Sequence, residues 1–117
     1  MWYKSAQMAF MQSPETNEEW LSRHKVEKDG DKYVFYHGSR IKFTELRAGS
    51  LLATSPQEAA DFGDTNFFND RRKTLIIYKV LVSPDEIIPG FWAKVKNNHP
   101  VEIYYKLSRK CTSFLSI

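Results

Sequence analysis

Three stretches of this 117-residue chain hold polar side chains in settings that otherwise read as strand or helix. In YVFYHGSR (33–40) an aromatic, β-prone run ends in His37, Gly38 and Ser39. In LLATSPQEAADFG (51–63) the hydroxyls of Thr54 and Ser55 fall between a short apolar run and a helix start, and in VEIYYKL (101–107) Glu102 interrupts an apolar strand. An imidazole, two hydroxyls and a carboxylate are groups that can do chemistry on a ligand. Each also has a purely structural use. His37 can bond a neighbouring carbonyl while Gly38 turns the chain, Ser55 can cap its helix, and Glu102 can face solvent.

The elements that must position these groups follow from pattern. Ser13, Pro14 and Glu15 have the order of a helix start and predict a helix over about 14–25. Residues 28–31 make a polar turn, and a strand covers 33–37. Residues 41–46 form a turn of helix or an irregular link, and Ala48-Gly49-Ser50 is a turn signal. Ser55 stands as an N-cap, Pro56 at the first helical position and Glu58 three residues after the cap, so a short helix begins at 55 and ends near Gly63. Residues 64–73 read as a loop. LIIYKVLV (75–82) is the most apolar run and the expected central strand, followed by a short edge segment at 86–90. FWAKVKNNH (91–99) reads as a loop or hairpin, and 101–107 as the next strand. Alternation there puts Glu102 and Tyr104 on one face and Val101, Ile103 and Tyr105 on the other. The order of elements predicts an α+β domain.

Length sets one domain with one core. A hydrophobic content of 42% with 15% aromatics is enough to pack that core, which argues against disorder. The formal charge of +3 and the triplet Arg71-Arg72-Lys73 lean mildly toward anionic partners, although a basic triplet is also an ordinary solvated turn. The lone Cys111 leaves no intrachain disulfide or cysteine metal cluster and fits a reducing, cytoplasmic setting. Neither a signal h-region nor a membrane-length apolar run is present in the sequence.

Taken together, YHGS, then LLATSPQEAADFG, then the glutamate of PVEIYY resemble the ADP-ribosyltransferase superfamily, in the histidine-tyrosine-glutamate branch shared by diphtheria-toxin-like transferases and poly(ADP-ribose) polymerases. The likeness runs over about 33–105, roughly two thirds of the chain. It implies two small antiparallel sheets with an NAD cleft between them and an N-terminal helix packed outside. The chain then divides into a helical extension (1–32) and a core (33–107) of a single domain. It further implies NAD as co-substrate, no metal, and transfer of ADP-ribose with release of nicotinamide. Under the resemblance His37 bonds the adenosine ribose, the backbone of Gly38 holds the nicotinamide amide, and Ser39, Thr54, Ser55 and Tyr36 shape the cofactor site. Glu102 binds the nicotinamide ribose and favours the positive charge developing at its anomeric carbon. Phe91, Trp92 and Asn98 lie where such enzymes meet their target.

The chain departs from the pattern at two places. The aromatic pair expected to sandwich nicotinamide is represented by Leu51 or Leu52 and by Phe62; a phenyl face can still stack, whereas leucine cannot. The expectation is a monomeric mono-ADP-ribosyltransferase of the toxin or phage-effector kind, with a protein acceptor or, alternatively, nucleic acid, and no membrane. The competing expectation is a non-catalytic module of the same fold that binds protein or nucleic acid.

Overall fold

The computed structural model describes the backbone of residues 15–65, 73–96 and 99–117, and the side chains of 15–61, 73–88 and 105–117. In chain order the elements are α1 (Asn17–Arg23), β1 (Lys28–Asp29), β2 (Lys32–Ser39), β3 (Leu51–Leu52), α2 (Pro56–Thr65), β4 (Ile76–Val82), a 3-10 turn (Pro84–Glu86), β5 (Ile87–Lys96), β6 (His99–Leu107) and β7 (Phe114–Ser116). Helices and antiparallel strands share one small α+β unit, as the element order predicts. The strands form two sheets, β1-β2-β4-β7 and β3-β6-β5.

Helix α1 begins later than its sequence suggests. Thr16, not Ser13, is the N-cap: its hydroxyl accepts the Glu19 amide at 3.1 Å and the Glu19 carboxylate accepts the Thr16 amide at 3.1 Å. The pattern Thr16-x-x-Glu19 closes both halves of a capping box, which satisfies two orphan donors at once. Ser13 and Pro14 lie outside the described residues. The helix stops at a left-handed Lys25 (φ 54), where the amides of Lys25 and Val26 return to the carbonyls of Ser22 and Leu21 at 3.1 and 3.0 Å. This is the double closure that usually carries glycine; here the accompanying apolar pair, Leu21 and Val26, is part of the core.

Strand β2 is the centre of the molecule. Its partner β4 runs antiparallel in the register Phe35↔Val80 and His37↔Tyr78. One face of β2 sends Tyr33 and Phe35 into the main core between the two sheets, with Val80 and Val82 from β4 and Leu52, Ile87, Tyr105 and Leu107 from the second sheet. Phe35 and Tyr105 meet across the sheets with ring centroids 4.8 Å apart. The other face sends Val34 and Tyr36 against Ala53 and against Ala59 of α2. Burial on both faces explains why β2 reads as a continuous apolar run instead of an alternating one.

The apolar run 75–82 does form an interior strand, β4, between β2 and β7. Of the loop and the hairpin open to FWAKVKNNH, the hairpin forms: its residues 91–96 continue the expected edge segment as one long edge strand paired with β6, and a register shift between Ile88 and Trp92 absorbs Pro89 and Gly90. Helix α2 continues past Gly63 to Thr65, so part of the expected loop is helical. The last residues add β7, which pairs Tyr78↔Ser116 and Val80↔Phe114, so the first sheet draws its outer strands from both sides of 33–107. Among the described residues no helix is long and apolar enough to cross a membrane.

Candidate functional site

Backbone pairing joins the elements that carry the three flagged stretches. Tyr36 and Ala53 form an isolated bridge, each amide donating to the other's carbonyl at 2.8 Å, and this joins the two sheets along β2. One step away, His37 Nδ1 lies 2.7 Å from the Leu51 carbonyl. A carbonyl can only accept, so Nδ1 carries the proton and Nε2 keeps its lone pair. Burial pushes the His37 pKa down, against a smaller opposing effect of that carbonyl, and so favours the neutral ring. The edge of the ring meets Phe43, centroids 5.8 Å apart.

Leu51 in turn pairs with Lys106 and Leu52 with Tyr105, which ties β3 to β6. Glu102 lies on β6 in register with Lys94, four residues from Lys106, or roughly 13 Å along the strand. Because β3 and β6 are antiparallel, the chain leaving β3 toward Thr54 and Ser55 heads in the direction of the Glu102 end of β6. The end of β2, the β3–α2 junction and β6 are therefore adjacent. The side chains of Glu102, Phe62, Phe91 and Trp92 lie outside the described set, as does residue Asn98. Trp92 stands in register with Tyr104, and Phe91 falls in the irregular stretch of β5.

The hydroxyls have structural uses. Ser55 Oγ accepts the Glu58 amide at 3.1 Å, which makes it the cap of α2, and Thr54 Oγ1 donates to Glu58 Oε2 at 3.4 Å. Ser39 Oγ accepts the Ile41 amide at 3.0 Å and so fixes the turn leaving β2. The Tyr36 hydroxyl donates to Glu27 at 3.1 Å, and burial, then Glu27, raises its pKa. Gly38 sits against α2: a Cβ there would lie 2.2 Å from the Ala59 carbonyl oxygen. Close backbone approach is the reason for glycine, but the approaching backbone is the protein's own helix.

These groups enclose a narrow crevice lined by Tyr36, His37, Gly38, Leu51, Leu52 and Ala59, with about 10 Å³ open to a water centre, room for about one water. No family model, curated protein or solved structure matches the chain at a significant level. Among the described residues no cluster of histidine, cysteine and acidic side chains could hold a metal ion. Phe43 and Ala59 escaped the sequence reading. Phe43 sits in an irregular link with no periodicity to mark it, and an alanine carries no chemical signal.

Two imidazoles make stability depend on pH. Burial also lowers the pKa of His24, whose ring stacks on Trp20 at 4.3 Å and whose Nε2 is buried with no hydrogen-bond partner among the described residues. An unfolded imidazole titrates near 6.5. As pH falls through that value the unfolded chain binds protons that the folded chain resists, so stability drops until pH passes below the depressed folded values. Urea unfolding is expected to show a lower midpoint at pH 5.5 than at pH 7.5, with part of the difference removed by His37→Gln and part by His24→Gln. Identical midpoints would contradict the burial of both rings.

Proposed function

We propose that the chain is an ADP-ribosyltransferase of the histidine-tyrosine-glutamate kind, moving one ADP-ribose from NAD to a macromolecular acceptor. The observation that carries this reading is the junction in which His37 bonds the carbonyl of Leu51 while Leu51 pairs with β6, the strand of Glu102. The three parts of the resemblance lie in separate stretches of sequence, and the backbone pairing of β2 with Ala53 and of β3 with β6 makes the elements that carry them neighbours.

In this reading the bond between nicotinamide and the ribose C1 breaks with its electron pair leaving on nicotinamide. An acceptor nucleophile then bonds C1 and gives up its proton. Glu102 favours the positive charge at C1, since a fixed carboxylate on a strand is already oriented for it. His37 offers Nε2 as an acceptor toward the ribose, with its tautomer held by Leu51.

The fit to NAD is partial. The crevice beside Gly38 is smaller than a nicotinamide ring, because the Ala59 carbonyl fills the place next to the glycine. The closed crevice and the leucines at 51 and 52 favour a second reading, a non-catalytic module with the same architecture.

Calorimetric titration with NAD separates the two. Saturable binding by the wild type, lost in a folded His37→Ala variant, is the expected result. No heat of binding from the folded wild type would remove the enzyme reading and leave the module.

A further inference from the structure

On the far side of Phe43 from the crevice, two adjoining depressions run between the segment after β2, the start of β4 and the end of β7. They have volumes of about 680 and 520 Å³, are open to solvent, and share Lys42, Thr74 and Ile76. Lys42 borders both, Arg40 and Lys73 border the smaller one, and the described residues lining them include no aspartate or glutamate. Arg40 donates to the Lys73 carbonyl, which ties the rim across the gap between the two segments. The larger one holds three rings beside Leu75, Ile76 and Leu115: Phe43 and Tyr78 have centroids 5.9 Å apart, and Tyr78 and Phe114 meet edge to face at 5.4 Å. Tyr78 is buried, whereas Phe43 and Phe114 are half-buried and keep part of each ring open to the groove. Tyr78 is also held by a 3.4 Å bond from its hydroxyl to the Ile41 carbonyl.

A cationic rim over an aromatic floor matches one chemistry better than others. An acidic peptide satisfies the rim but offers the rings little, and a duplex keeps its base faces stacked away from recessed rings. A single strand presents phosphates at its edge and unstacked base faces toward the protein. We propose that this groove seats a single-stranded nucleic acid, with its phosphates toward Lys42 and Lys73 and its bases toward Phe43 and Phe114. The proposal does not depend on NAD. If both readings hold, the strand lies one ring away from His37, where an acceptor would be needed.

Fluorescence anisotropy with labelled oligouridylate and oligothymidylate, in the absence of NAD, tests it, the pair also deciding between RNA and DNA. Saturable binding is expected, with affinity falling linearly on a log–log plot against salt. Lys42→Glu and Lys73→Glu, both at exposed positions, are each expected to weaken binding about tenfold and to shallow the salt slope by about 0.7. Lys25→Glu, with the same change of net charge outside the groove, leaves affinity and slope unaltered. Phe43→Leu keeps the packing but removes the ring face, so it weakens the oligonucleotides and spares inorganic polyphosphate. Three results would overturn the proposal: no binding to either oligonucleotide at low salt, equal weakening by Lys25→Glu, or competition by polyglutamate as strong as that by the oligonucleotides.

Discussion

Gly38→Ala is expected to lower the stability of the fold by about 1–3 kcal/mol, the range found when atoms are forced into a packed interior. The added Cβ would stand 2.2 Å from the carbonyl oxygen and 2.9 Å from the carbonyl carbon of Ala59, both backbone atoms of α2, and 3.3 Å from Ile77 Cδ1. A flexible side chain could swing away from such a contact; a helix backbone cannot without moving Ala59 and Tyr36 out of their shared cluster. The position also distinguishes itself by what fails to rescue it. Adding Ala59→Gly to Gly38→Ala removes only a side chain that is not the obstacle, so the double variant should be no more stable than the single one. Urea unfolding of the three proteins reads the result. A Gly38→Ala midpoint equal to wild type would show that α2 does not press on β2 at this place.

Under the proposed transferase reading, Glu102→Gln is expected to lower transfer of ADP-ribose by about 10²–10³-fold while leaving NAD affinity nearly unchanged. Glutamine keeps the size and hydrogen-bonding reach of the side chain and removes the charge, so it tests electrostatic stabilisation of the reacting carbon and little else. Release of nicotinamide and labelling of candidate acceptors are measured side by side with calorimetry. The split matters: a loss of both binding and turnover together with a lower urea midpoint would make Glu102 a structural residue of β6. A variant that transfers ADP-ribose as fast as wild type would end the proposed catalytic role of the glutamate. Lys94 stands opposite Glu102 in the backbone register of the hairpin.

Much of the scaffold was legible because its signals are local. Ser55, Pro56 and Glu58 announce the start of α2 within four residues, and the cap forms with the Glu58 amide as their spacing demands. The runs 33–37 and 75–82 read as strands because burial makes them largely apolar. Strand β5 was obscured by Pro89 and Gly90, which normally punctuate; only the register shift opposite β6 shows how a strand passes through them. Strand β7 was missed because three partly exposed residues at the end of the chain have no periodicity to recognise. The start of α1 was placed at Ser13 because Ser13, Pro14 and Glu15 have the general order of a helix start, whereas the cap that forms is the reciprocal pair Thr16 and Glu19.

The candidate site was legible as residue types but not as relations. That His37 is held by a carbonyl 14 residues away, and that this carbonyl belongs to the residue paired with β6, are tertiary facts with no trace in spacing. The bland and functional uses of the same residue also turn out not to exclude each other. His37 bonds a neighbouring carbonyl, as a merely structural histidine would, and that bond leaves its other nitrogen available as an acceptor. Gly38 is required by packing against α2 whether or not a ligand ever approaches it.

Strand β2 has a consequence for how this protein can change over time. Tyr33, Val34, Phe35 and Tyr36 are buried in succession, two toward one cluster and two toward another, and the next two residues are the imidazole and the glycine of the crevice. A strand with one wet face offers a neutral substitution at every second position; this one offers none in a row of four. Drift toward a new ligand is therefore constrained along β2 itself, and the freedom to vary lies in the strands and links that face it.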